Sequence, residues 1–214
     1  MVRRFRKRRC SLIKLRRQVY LISPKKINKG FYSNLEKVLA FKNVKFFQLR
    51  LKKQKRGKII EIAKKIKKIT KKNKVRFIIN DYAKIAKIVG ADGCHIGQSD
   101  GSLKKTKNYL KGKIVGITCH NSKHLAKIAI KNKASYLAFG SFNHSKLKPN
   151  AIKANIDILK WAKKNTKKPI VAIGGINKSN YKKLLKSGAK YIAISSFIWD
   201  NKKLKPELAI KKFK

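Results

Sequence analysis

The sequence predicts a single (β/α)8 TIM barrel of the α/β class, preceded by a short basic N-terminal arm. Three observations lead there. From residue 18 onward, short β-rich runs alternate with longer amphipathic segments, and there are eight such runs. Several are nearly continuous apolar stretches (FIIN, IVGIT, IVAIGG), the pattern of parallel strands buried on both faces. No linker, low-complexity spacer or composition break divides the chain after residue 18, so residues 18–214 read as one domain. A doubly wound open sheet is the competing arrangement for the same alternation.

Residues 1–17 form the arm. Seven of the ten arginines lie in it: Arg3, Arg4, Arg6, Arg8, Arg9, Arg16 and Arg17. No small-residue cleavage site or long apolar segment follows, which argues against a secretory signal. The strand-like runs are 19–23, 44–49, 75–79, 93–96, 114–117, 136–139, 170–173 and 191–194. Between them, residues 58–72 (KIIEIAKKIKKITKK) place apolar side chains at helical spacing with lysines opposite, and 122–132, 152–165 and 178–187 follow the same pattern. Ser122, Asn150 and Ser179 suit N-caps, and Gly90, Gly112 and Gly188 fall where helices should stop.

Composition narrows the function. The chain has 214 residues, 43% of them apolar, enough for a full core. No run approaches the roughly 20 apolar residues of a membrane span, so no membrane partner is expected. Cys10, Cys94 and Cys119 are too few and too scattered for a disulfide framework or a cysteine zinc site, and read as free thiols of a cytoplasmic protein. With 59 Lys+Arg against 8 Asp+Glu the formal charge is +51, which attracts polyanions. Lysine is nevertheless spread over almost every segment from 25 to 214, so the charge reads as solvated surface and no specific nucleic acid is expected.

In a barrel of this kind the chemistry sits at the C-terminal ends of the strands. The second run ends in Gln48-Leu49-Arg50 and then Lys52; the third in Asn80-Asp81. After the fourth comes Gly97-Gln98-Ser99-Asp100, after the fifth Thr118 and His120, and the sixth opens into residues 140–148. The seventh ends in Gly174-Gly175 and the eighth in Ser195-Ser196. Asp81 and Asp100, with an amide beside them, suit Mg2+, a hard ion that takes oxygen ligands and keeps waters. Arg50, Lys52 and Lys148 suit phosphate oxygens. The Gly-Gly and Ser-Ser ends offer backbone N–H groups at helix N-termini, a phosphate cradle. Together they indicate a substrate with a diphosphate and a second phosphate. Each residue taken alone has a simpler reading: Asp81 and Asp100 as N-caps, the glycines as close packing, the cations as solvated surface, His95 as a hydrogen-bonded core or rim histidine.

Five ordered motifs then point to a family. QLR-x-K (Gln48 to Lys52), IIND (Ile78 to Asp81), GADGCHIGQSD (Gly90 to Asp100), GITCHN (Gly116 to Asn121) and AIGGI (Ala172 to Ile176) resemble thiamine-phosphate synthase, over about Val19 to Trp199. The resemblance implies a (β/α)8 barrel that joins hydroxymethylpyrimidine diphosphate to thiazole phosphate, with Mg2+, through a stabilised pyrimidine cation. It implies that Gln48, Arg50 and Lys52 bind the pyrimidine diphosphate, that Asn80 contacts the diphosphate, and that Asp81 and Asp100 hold Mg2+. Thr118 stands where the family usually has a serine on the pyrophosphate. Ser145 and Lys148 fall in the loop that usually reads T-x-T-K, where Leu147 replaces the second threonine. Gly175, Ser195 and Ser196 would receive the thiazole phosphate. A related branch of the fold, the thiazole tautomerase, uses a histidine at the position of His120. A third reading, a non-catalytic basic barrel that binds nucleic acid, would leave the intact rim without a purpose.

Overall fold

The apolar runs become parallel strands. In the computed structural model, which describes residues 18–143 and 153–213, they are β1 (Val19–Ile22), β2 (Val44–Leu49), β3 (Arg76–Asn80), β4 (Gly93–Ile96), β5 (Ile114–His120), β6 (Tyr136–Phe139), β7 (Ile170–Ile173) and β8 (Tyr191–Ile194). They pair in chain order and close on themselves, with Val19 opposite Ile192. The closed barrel excludes the open-sheet alternative. Strand bounds agree with the sequence runs to within a residue except at β5: β1 stops at Ile22, one short of Ser23, β3 is shifted by one to Arg76–Asn80, and β5 runs on through Thr118 and Cys119 to His120, with a register break between Thr118 and His120.

Two cores follow from the period-two alternation of the strands. Side chains facing out, such as Leu21, Phe47, Phe77 and Ile79, pack under the helices. Those facing in, Tyr20, Ile22, Phe46, Ile78, Tyr136, Ala138, Val171, Tyr191 and Ala193, fill the barrel itself. Each fully buried large side chain stabilises the fold by about 1.5–3 kcal/mol.

The helices are α1 (Phe31–Ala40), α2 (Arg56–Lys72), α3 (Ala83–Ile88), α4 (Leu103–Tyr109), α5 (Lys123–Lys131), α6 (Asp157–Asn165), α7 (Tyr181–Lys186), α8 (Ser196–Trp199) and α9 (Pro206–Ile210). α2 buries Ile59, Ile62, Ala63, Ile66 and Thr70, the stripe its periodicity predicts. Ser122 caps α5 through a hydrogen bond accepted from Leu125 N–H. The expected cap at Ser179 is not formed. The N-cap of α7 is Asn180, because an Asn177–Asn180 turn takes over: Asn180 Oδ1 accepts from Asn177 N–H, and Ser179 Oγ donates to Asn177 Oδ1. The arm, residues 1–17, and the expected cap Asn150 lie outside the described residues. Among the described residues no helix is long and apolar enough to cross a membrane.

Candidate active site at the C-terminal rim

Alternation along the strands also builds the site. Gln48 and Asn80 each lie two residues beyond an inward apolar side chain, Phe46 and Ile78, so they continue the interior row into the rim and are buried there. Thr118 stands two residues beyond Gly116 on β5, and His95 sits opposite Asn80 on β4.

The carboxylates meet where the sequence placed them. Lys52 Nζ lies 3.2 Å from Asp81 Oδ2 and 3.8 Å from Asp100 Oδ1, so one ammonium is held by both. Asp81 does not cap α3: the N-cap position is Tyr82 and carries no side-chain cap. Asp81 instead adopts φ 65°, with its N–H donating to His95 O at 2.8 Å, which turns the carboxylate towards Asp100. A residue with a side chain held at positive φ is a local strain of the kind that collects at working sites. Asp100 does not cap α4 either, since Ser102 does; its Oδ2 accepts from Gly97 N–H at 3.1 Å. A Cβ on Gly97 would stand 2.4 Å from that oxygen, so a side chain there would push the Asp100 carboxylate out of this position.

Burial raises the Asp81 carboxyl above its ordinary value; hydrogen bonding and charge from Asp100 raise it further, and Lys52 opposes both. Burial draws Arg50 below the usual arginine value, opposed by the charges of Asp81 and Asp100, so Arg50 belongs to the same cluster. Its N–H donates to Ser23 Oγ at 2.9 Å, which fixes the backbone leaving β2. The site thus holds two cations and two carboxylates that compensate one another.

The opposite part of the rim departs from expectation in one respect. Gly174 and Gly175, at φ 107° and 53°, do not open α7, which starts at Tyr181 after the asparagine turn. Gly175 O accepts from Asn180 Nδ2 at 2.9 Å. Ser195 and Ser196 are the N-cap and first residue of α8, as expected, although α8 is a single short turn. The Ser195 hydroxyl donates to Ser23 O at 3.0 Å, and Trp199 Nε1 donates to Ile22 O at 2.7 Å. Both bonds tie the end of β8 to the end of β1. Ser145 and Lys148 lie outside the described residues.

Sequence reasoning missed the interior beneath the rim. Tyr20 OH and Tyr136 OH are 2.7 Å apart, Gln48 Nε2 donates to Tyr20 OH at 3.2 Å, and Tyr136 OH meets His95 Nδ1 at 2.9 Å. His95 Nε2 then meets Thr118 Oγ1 at 2.9 Å. The available signal was a tyrosine inside each of two otherwise apolar strands, VYLI and YLAF. Gly116 completes it: a Cβ there would lie 1.9 Å from Tyr136 Cζ, so the glycine of GITCHN makes room for the ring. Cys94 and Cys119 are free and buried, and burial pushes both thiols up to about 12, so neither is a nucleophile near neutrality. Gln98 on the β4 loop donates through Nε2 to Thr118 O.

The family model described as thiamine monophosphate synthase matches residues 19–198. The chain is 55% identical over 197 residues to the thiamine-phosphate synthase of Pelagibacter ubique (strain HTCC1062), covering 92% of this chain and 95% of that one. It is 37% identical over 187 residues to the thiamine-phosphate synthase of Erythrobacter litoralis (strain HTCC2594), covering 85% and 88%. Among solved structures, the thiamine phosphate pyrophosphorylase from Pyrococcus furiosus superposes with a TM-score of 0.82 at 27% identity, covering 91% of this chain and 92% of that one.

Proposed function

From the premise that this chain belongs to the thiamine monophosphate synthase family, we propose that its rim couples hydroxymethylpyrimidine diphosphate to thiazole phosphate, giving thiamine phosphate and pyrophosphate. The observation that carries this reading is the ammonium of Lys52 held between Asp81 and Asp100, with Arg50 in the same charge cluster. A site that gathers two cations and two carboxylates is built for a polyanion together with a divalent cation.

The two carboxylates fit Mg2+. They already share one cation and offer oxygen ligands from two side chains only. That leaves positions for diphosphate oxygens and water, as Mg2+ prefers. Bound by Asp81 and Asp100, Mg2+ would supply positive charge against the departing pyrophosphate.

The chain's own groups do the rest. Arg50 and Lys52, with Lys148 from the 144–152 segment, neutralise the diphosphate as the pyrimidine C–O bond breaks with both electrons on the leaving oxygen. Gln48 and Asn80 hold the substrate at the barrel mouth, and Thr118 contacts the pyrophosphate. Gly175, Ser195 and Ser196 take the thiazole phosphate and so aim the thiazole nitrogen. Its lone pair then forms the C–N bond to the pyrimidine cation, a step that needs no general base. Buried free thiols suit the reducing cytoplasm as the place of action.

The test is purified protein with both phosphorylated substrates and Mg2+, read as thiamine phosphate formed. Arg50→Ala and Asp81→Asn are each expected to lower turnover by about 100-fold or more, and chelation to abolish it. Isomerisation of the thiazole alone, stopped by His120→Asn and with no coupled product, would replace this reading with the tautomerase.

A further inference from the structure

One buried serine ties the two halves of the proposed site together. β1 lies between β2 and β8 in the barrel, and Ser23 follows its last residue. On the β2 side stand Gln48 and Arg50, proposed to hold the pyrimidine diphosphate. On the β8 side stands Ser195, from the segment proposed to take the thiazole phosphate. Ser23 reaches both. Its N–H donates to Gln48 O at 2.9 Å, its Oγ accepts from Arg50 N–H at 2.9 Å, and its carbonyl accepts from the Ser195 hydroxyl at 3.0 Å. The Ser23 hydroxyl sends its own proton to Pro24 O at 3.2 Å. A backbone N–H can only donate and a carbonyl can only accept, so the direction of every one of these bonds is fixed.

The arrangement departs from a regular ladder at one bond. The register sets Ile22 opposite Gln48, and the bond from Ser23 N–H to Gln48 O continues that pairing. The next rung of a parallel ladder would take the Arg50 N–H to Ser23 O. Here the N–H goes to the side-chain oxygen. The hydroxyl stands in for the carbonyl, and the carbonyl is released to Ser195 on the other side. An alanine would offer only the carbonyl, for which Arg50 N–H and the Ser195 hydroxyl would compete. Trp199 Nε1, donating to Ile22 O at 2.7 Å, braces the same strand end, so loss of the Ser23 hydroxyl shifts the two halves without releasing β8 from β1.

We propose that Ser23 is a positioning residue: its hydroxyl and carbonyl set the diphosphate half of the site against the thiazole-phosphate half, so that the thiazole nitrogen meets the pyrimidine carbon. The proposal rests on the roles given to Arg50 and Ser195 under the proposed function. Each half keeps its own contacts when the tie is lost, so the loss falls on the rate of joining, which depends steeply on how the reacting atoms are placed.

A double-variant cycle tests it, read in two ways. In the coupling assay Ser23→Ala should lower kcat by about fivefold or more, the worth of at least one hydrogen bond, with the KM of each substrate changed by less than about threefold. A raised KM with unchanged kcat overturns the proposal. Ser23→Cys, which fills a similar space with a poor acceptor, should behave like Ser23→Ala; wild-type kcat in it would assign the role to shape and overturn the proposal. Ser195→Ala removes the competitor for Ser23 O, so adding Ser23→Ala to it should lower kcat by less than about twofold more. Additive losses overturn the proposal. The same four proteins, unfolded in urea, should show the same non-additivity in stability. Coupling in stability without coupling in kcat would make Ser23 a structural tie only and overturn the positioning role. If Ser23→Ala does not fold, Ser23→Cys takes its place in the cycle. A wild type that forms no thiamine phosphate removes the proposed function and this role with it, while the urea cycle still shows whether the tie exists.

Discussion

Replacing Lys52 by Gln should move two properties of the site in opposite directions. In the substrate-free protein the Lys52 ammonium lies 3.2 and 3.8 Å from the two carboxylates proposed to hold Mg2+. It therefore competes with any cation for that place. The Lys52 side chain is 43% exposed, whereas Asp81 and Asp100 are 12% and 24% exposed, so the two ion pairs are screened from one side. Discounted for that screening, each is worth about 0.5–1 kcal/mol. Removing both, and leaving the carboxylates to repel each other, should tighten Mg2+ binding to the substrate-free protein by about 1–2 kcal/mol, or roughly 5- to 30-fold. The gain should shrink as salt is raised. Turnover should fall, because the same ammonium is proposed to neutralise the diphosphate beside Mg2+. Calorimetric titration of Mg2+ into wild-type and Lys52→Gln protein, beside the coupling assay, measures both. Unchanged or weaker Mg2+ binding in the variant would refute the competition.

Two further outcomes concern stability. Burial opposes ionisation of Asp92, yet hydrogen bonds from Phe77 N–H and Lys67, both at 2.9 Å, and from Arg76 overcome it and hold the carboxyl below its ordinary value. A depressed carboxyl contributes stability that is present above its unfolded value and is lost as pH falls through the folded one. Asp92→Asn should therefore cost about 1–2 kcal/mol at pH 7, with the gap in Tm to wild type closing below about pH 4; a gap independent of pH would show that the charge is idle. Lys133, just past the C-cap of α5, sits at φ 57°. Lys133→Gly removes the penalty of a side chain in the left-handed region, about 1–2 kcal/mol, against the chain entropy glycine adds. Tm should rise by about 1–4 °C, and a fall would show that the lysine makes contacts worth more than the strain.

The barrel was legible because each of its strands is short, local and buried on both faces, which leaves an apolar run in the sequence. The rim was legible for a related reason. A polar residue such as Gln48 or Asn80 at the end of an apolar run has nowhere to point but the mouth of the barrel, so strand ends could be read one at a time. What stayed hidden depends on which strand faces which across the barrel. Tyr20 and Tyr136 are 116 positions apart and belong to strands that are not neighbours in the sheet. Their meeting follows from the closure of the barrel and its stagger, which no local pattern records. Gly97 and Gly116 show the same limit: both stand in motifs that could be recognised, but the reason for each is a neighbour, Asp100 Oδ2 in one case and the Tyr136 ring in the other. Lys52 is a mixed case. Its strand end and the QLR-x-K motif set it apart in the sequence from the many solvated lysines, but that its ammonium lies between two of the chain's scarce carboxylates is visible only in the structure. Where charge is this abundant, information about function lies in the rare opposite charge, so the acidic residues are the better guide to which of the basic ones matter.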